Sequence, residues 1–308
     1  MSDFVLTTPV ALLVFNRPEL TAQVFASIRE ARPPRLLVVA DGPRPGRRDD
    51  LEKCAEVRRI VGQVDWPCDV MHNYSEVNLG CKVRVSSGLD WVFEQVEEAI
   101  ILEDDCLPDS SFFRFCQEML EKYRNDHRIA SIGGNNFQFA SGNISQSYYF
   151  SIYNHIWGWA SWKRAWLDYD LDMREWVKVR KTDWLSNMFT EKKNINYWKL
   201  NFDKAYNNQI DTWDIQWTFA CWLNNRLSII PSINLVSNIG FGSSALHTID
   251  ATSHLASIPT IPMKFPLNHP PFVIRDVQSD EIIQKNIFDQ SILKNLIDSV
   301  KYTFRRNI

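Results

Sequence analysis

No glycine occurs before Gly42 in this chain. Dehydrogenases and methyltransferases of the Rossmann type place a G-x-G-x-x-G turn straight after their first strand, and its lack excludes them here. None of the six cysteines (Cys54, Cys68, Cys81, Cys106, Cys116, Cys221) forms a C-x-x-C pair, and their density is far below that of a secreted disulfide scaffold. They are expected to be free thiols in a reducing compartment. No apolar run approaches the roughly twenty residues of a membrane span. Met1–Pro9 lacks the basic-then-apolar order of a secretory leader, so a cytoplasmic location is expected. The formal net charge of -3 lacks the basic footprint of a nucleic-acid binder. No internal repeat is found.

What the chain does have is aromatic mass, 12 Trp and 18 Phe in 308 residues, more than a core alone usually needs. Flat apolar faces suit sugar rings. Its length allows one large or two modest domains. In the first half, short apolar runs alternate with amphipathic stretches. Val10–Phe15, Leu36–Ala40, Asp69–Tyr74 and Ile129–Gly133 read as strands. Helices are expected from Pro18 to Ala31, from Glu52 to Val61, after Asn78-Leu-Gly80, and after the candidate caps Ser110 and Ser111. Gly46–Asp50 reads as a charged surface loop. This alternation predicts an α/β fold with a mostly parallel sheet and helices on both faces. Beyond about residue 135 the periodicity weakens. Helical texture is expected over Asp183–Asn208 and Ile215–Leu223, and a strand-like segment over Leu227–Ile233.

The run Ala99-Ile-Ile-Leu-Glu-Asp-Asp-Cys-Leu-Pro108 is the most informative. It predicts a buried parallel strand ending in three acids, Glu103, Asp104 and Asp105. Three adjacent carboxylates need a counter-charge, and a hard divalent cation, Mn²⁺ or Mg²⁺, with a bound phosphate completing its shell would supply it. A solvated acidic turn is the bland alternative. Other strand ends point at the same crevice. The first offers Asn16 and Arg17, the second Asp41, and the segment opening the third helix Asn78, Gly80, Lys82 and Arg84. An Asp there can meet a base or ribose, and Arg17 and Arg84 can neutralise a pyrophosphate.

Taken with Phe15-Asn-Arg-Pro18, Ala40-Asp-Gly-Pro43, Ile101–Asp109 and Phe112-Phe113, the order of these motifs resembles the GT-A class of nucleotide-sugar glycosyltransferases. Within it the likeness is to a bacterial family-2-like branch related to the Golgi N-acetylglucosaminyltransferase that starts complex N-glycans. The resemblance covers residues 8 to 135 well and is patchy to about 250. It implies a GT-A fold in which 1–135 is the nucleotide-sugar-binding half, 136–250 the acceptor and catalytic-base half, and 251–308 a C-terminal extension. It further implies a UDP-sugar donor and a surface-glycan or lipid-linked saccharide acceptor. Asp105 would be the metal ligand, Glu103 and Asp104 would meet the donor's sugar and ribose, and Asp41 the base. Phe15, Asn16, Arg17 and Arg84 would complete the donor site.

Trp213-Asp214 resembles the segment carrying the catalytic Asp of the Golgi branch. Asp214 is therefore the expected general base of an inverting transfer, with Asp211 in reserve; as an N-cap, Asp214 would serve its helix alone. Trp157-Gly-Trp-Ala-Ser-Trp162 and Trp166 read either as an aromatic wall over the sugar or as a buried face. His247, after Phe241-Gly-Ser-Ser, is a candidate metal ligand. The tail Ile282–Ile308 carries Leu293, Leu296, Ile297, Val300 and Phe304 at helical spacing beside Lys and Arg. It suits either a docked helix or peripheral contact with an acidic membrane face. Two other functions fit less well. A sugar nucleotidyltransferase wants a glycine-rich cradle after its first strand, and a non-catalytic glycan-binding protein has no need of intact acids.

Overall fold

The computed structural model describes residues 4–138, 145–241 and 255–289. The strands are Val10–Val14 (β1), Arg35–Ala40 (β2), Asp69–Tyr74 (β3), Glu98–Glu103 (β4), Cys106–Pro108 (β5), Ile129–Gly133 (β6), Tyr148–Ser151 (β7), Trp159–Trp162 (β8), Leu227–Pro231 (β9) and Val236–Asn238 (β10). Eight of them form one sheet in the order β3-β2-β1-β4-β8-β6-β9-β7, while β10 and β5 pair as a small antiparallel ladder. Within the large sheet only β8 and β7 run against the other strands. The fold is thus α/β with a mostly parallel sheet, and that sheet draws strands from both sides of residue 135.

Every residue of β1 is buried, because the sheet is covered on both faces. Val10, Leu12 and Val14 face one layer and Ala11 and Leu13 the other. The first layer contains Pro18–Ala31 (α1), Arg48–Val61 (α2) and Ser110–Tyr123 (α4). Opposite them lie Gly80–Gln95 (α3) and, from the second half, the short helices Lys163–Trp166 (α5) and Trp176–Val179 (α6) with Lys192–Tyr206 (α7) and Asp214–Leu223 (α8). The aromatic surplus sits mostly in that second layer. Trp159, Trp176, Trp198, Trp213, Trp217 and Trp222 are all at most 2% exposed. Trp159, Trp162 and Trp166 are therefore core residues and build no wall over a sugar. Only Trp157 of that motif is half-buried, beside Phe137 and Phe241 at 5.2 and 5.6 Å between ring centres.

Local chemistry explains the helix ends. Pro18 fits the first turn of α1, and Arg32 closes it in the left-handed region ahead of Pro33-Pro34. Asp109 caps α4 by accepting from Ser111 N at 2.9 Å, so the cap is the acid and not the expected serines. Helix α2 begins at Arg48, four residues earlier than expected. Asp50 lies inside it and fully buried, because the Arg44 guanidinium and Asn16 Nδ2 bind its carboxylate at 2.6–2.8 Å. These contacts hold Asp50 well below the usual carboxylate range.

After β9 and β10 the described chain returns to the sheet edge. Arg275 bridges Phe150 of β7, and Asp276 caps Val277–Ile283 (α9). Asp280 of α9 is buried, and its carboxylate accepts from Ser151 Oγ at 2.5 Å and Arg275 Nε at 2.6 Å. Burial outweighs those partners and pushes its pKa up to about 6. Asp280→Ala should destabilise the fold by about 3 kcal/mol, since it strands Arg275 and Ser151. Asp280→Asn, which keeps a hydrogen-bonding group without the buried charge, should cost less than half as much in urea unfolding. The expected tail helix is described only to residue 289, where a π-turn follows α9. Leu293, Leu296, Ile297, Val300 and Phe304 lie outside the described residues. Among the described residues no helix is long and apolar enough to cross a membrane, and all six cysteines are free.

Candidate active site

From β1 the chain builds outward through β2 to β3, then returns to place β4 on the other flank of β1. Ligands of open α/β sheets bind beyond the carboxyl ends of the strands at such a reversal. Here the residues following β1 meet those ending β4. The Arg17 guanidinium donates to both Asp104 and Asp105, the latter at 2.9 Å. Phe15 N adds a bond to Asp104 Oδ2 at 3.3 Å. Arg17 thus supplies part of the counter-charge that the three acids need, beside the expected metal. One guanidinium faces three acids, however. Burial together with Asp105 and Asp104 pushes Glu103 up to about 8, Arg17 opposing. Burial pushes Asp104 up to about 6 against the pull of Arg17. Negative charge is left over, which suits a divalent cation. Among the described residues no three His, Cys, Asp or Glu side chains form a preformed metal cage. A cation held through Asp105 would therefore complete its shell with water and phosphate oxygens.

A cleft of about 260 Å³ opens here, lined by Phe15, Arg17, Asp41, Arg84, Glu103 and Asp104 among others. Those are six of the seven expected donor-site residues. The seventh, Asn16, is turned to Asp50. Asp41 has structural partners of its own. Its carboxylate accepts from Gly42 N at 2.8 Å, Asn78 Nδ2 at 2.9 Å, Leu79 N at 2.9 Å and Gly80 N at 3.2 Å, tying the end of β2 to the start of α3. Burial raises its pKa, and the three backbone N–H groups oppose that rise. Gly80 sits at φ +76°, a backbone form that L side chains rarely adopt. Arg84 reaches the cleft but gives one terminal nitrogen to Asn73, at 2.5 Å from the carbonyl and 2.7 Å from the side chain. Its Nε is buried without a partner.

The second half closes the crevice. Asp211 lines the cleft with its carboxylate clamped on Cys81 N and Lys82 N at 3.2 and 2.9 Å, so it caps α3. Like Asp105, which follows Asp104 just outside the lining, Asp214, first residue of α8, is not among the residues lining the cleft. Its carboxylate accepts from Thr212 Oγ1, and its charge contributes to raising Glu103, which places it within electrostatic reach of the acids. His247 lies outside the described residues. Two contributors escape sequence reasoning. Arg44 stands over the Phe15 ring at 5.4 Å and lines the cleft. Gly240 lies against Asp105: an added Cβ would fall 2.2 Å from Asp105 Oδ2. Gly240→Ala should displace that carboxylate and weaken metal-dependent nucleotide binding at least tenfold in a calorimetric titration.

No family model matches the chain, and no curated protein does. Solved structures do, at low identity. A mannosyltransferase from Pyrobaculum calidifontis, in complex with GDP-Man and Mn²⁺, is 13% identical over 52% of this chain and 45% of its own, with a TM-score of 0.36. This chain thus spans less than half of that protein. A UDP-glucose pyrophosphorylase complexed with UDP-glucose is 11% identical over 47% and 62%, with a TM-score of 0.28. A 4-diphosphocytidyl-2C-methyl-D-erythritol synthase from Anaerococcus prevotii is 10% identical over 60% and 85%, with a TM-score of 0.34.

Proposed function

We propose that this chain is a metal-dependent glycosyltransferase of the GT-A type, moving a sugar from a nucleotide-sugar donor to a glycan or lipid-linked saccharide acceptor. The observation that carries the reading is the surplus of carboxylate at the sheet's switch point. There the buried Asp104 and Asp105 share the single Arg17 guanidinium, and the half-buried Glu103 stands beside them at a nucleoside-sized cleft. Residues 1–135 would hold the donor, with a base and ribose between Phe15, Asp41 and Arg84 and the diphosphate at Arg17 and Asp105. Mn²⁺ or Mg²⁺ bound through Asp105 would supply positive charge to the departing diphosphate. Residues 136–250 would present the acceptor. Asp214 is favoured over Asp211 as base because Asp211 is already committed to the α3 backbone, whereas Asp214 has the Thr212 hydroxyl as its hydrogen-bond partner. A base on the acceptor side gives an inverting transfer.

The test is nucleotide release from a panel of UDP- and GDP-sugars with Mn²⁺, run beside a pyrophosphate-release assay with UTP and sugar 1-phosphates. Slow, metal-dependent hydrolysis of one donor and no pyrophosphate release is the expected result. Pyrophosphate release would replace this reading with a nucleotidyltransferase.

A further inference from the structure

A second cleft opens beside the start of α3. It is lined by Lys82, Asp172, Arg174, Tyr206 and Asn208 and has a volume of about 390 Å³. Successive residues of α3 serve the two spaces, for Cys81 lines the donor cleft and Lys82 lines this one. Lys82 is only 8% exposed. Among the described residues its side chain has one partner, the neutral Asn208 Oδ1 at 2.6 Å. Asn208, at φ +52°, follows α7 in the left-handed form that Asn tolerates. Arg174 adds a second cation, paired to Asp170 at 3.1 Å and largely exposed. Asp172 is the one carboxylate in the lining. A buried ammonium whose partner is an amide is costly to hold. It becomes favourable when a ligand brings the missing negative charge.

We propose that this cleft binds an anionic group, phosphate or carboxylate, carried by the acceptor, with Lys82 as its principal charge partner and Arg174 as a second. That the group belongs to an acceptor rests on the glycosyltransferase reading; that the cleft takes an anion rests on Lys82 alone. The location suits the role, since the two linings adjoin along the α3 backbone and a charged group here would hold a substrate next to the donor cleft. Tyr206 belongs to the same lining.

Calorimetric titration of methyl phosphate, and separately of methyl β-D-glucuronide, into the full chain tests this, with UDP and Mn²⁺ saturating so that the donor cleft is filled. One of the two probes should bind, phosphate marking a phosphorylated acceptor and glucuronide an acidic sugar. Its affinity should fall with added NaCl, at least tenfold in Lys82→Gln and Lys82→Met, and about threefold in the surface variant Arg174→Gln. In the absence of anion Lys82→Met should melt at a higher temperature than the wild type, because it removes a poorly compensated buried charge. A purely structural lysine would give the opposite shift. Binding of neither probe, wild-type affinity in both Lys82 variants, or a lower melting temperature for Lys82→Met would each overturn the proposal. Should UDP itself not bind, the glycosyltransferase reading falls, and the same titrations without UDP still decide whether Lys82 forms an anion site.

Discussion

Replacing Asp214 with Asn should lower the rate of sugar transfer by about 10²–10⁴-fold, the range spanned by loss of a positioned general base, while leaving the affinity for the nucleotide unchanged. The separation follows from geometry. Asp214 opens α8 and is absent from the lining of the donor cleft, whereas its charge is felt by Glu103 across the crevice. Asn preserves the size of the side chain and its acceptance from Thr212, so α8 should stay folded. Steady-state kinetics with a measured nucleotide dissociation constant separates the two effects. A variant with full activity removes Asp214 from the reaction. One that loses nucleotide binding moves it into the donor site.

Asp105→Asn should have the opposite signature, losing metal-promoted nucleotide binding while making the empty protein more stable. Glu103 and Asp104 are pushed up to about 8 and about 6 in the fold, against ordinary values near 4 in an unfolded chain. Between those limits the folded state binds more protons than the unfolded one, so stability falls as pH rises from about 4 to about 8. Removing the Asp105 charge relieves part of that repulsion while Arg17 keeps its bond to Asp104. Urea unfolding of the wild type should therefore show lower stability at pH 8 than at pH 5.5, and Asp105→Asn should flatten the difference. Saturating Mn²⁺ with nucleotide should flatten it in the wild type and leave the variant unaffected. Equal stability at both pH values in the metal-free wild type would mean that the acids carry no uncompensated charge.

The sequence carried the frame of the crevice because β1, β2 and β4 are continuous apolar runs, which only a doubly covered sheet buries. Each run ends abruptly in polar residues, and Arg17, Asp41 and Glu103 from those ends line the cleft. What sequence could not show was pairing at long range. Asp50 looked like a loop acid because its partners, Asn16 and Arg44, are gathered by the fold, and α2 consequently began earlier than its apolar spacing suggested. Arg17 could be seen as a cation near the acids, but its bonds to two of them depend on β1 lying beside β4. The tryptophans of the second half were visible in number only. Which of them are core depends on the antiparallel insertion of β8 between β4 and β6, and nothing in Trp157–Trp162 announces that pairing. Gly240 gave no local signal, since its role is to leave room for Asp105, 135 residues earlier in the chain.

The most direct test of the central claim is calorimetric titration of UDP and of GDP into the purified chain, first with Mn²⁺ and then with EDTA. A nucleotide cleft completed by a metal at Asp105 predicts that one of the two nucleotides binds with Mn²⁺ and that EDTA abolishes the binding. Binding of neither nucleotide under both conditions would contradict it.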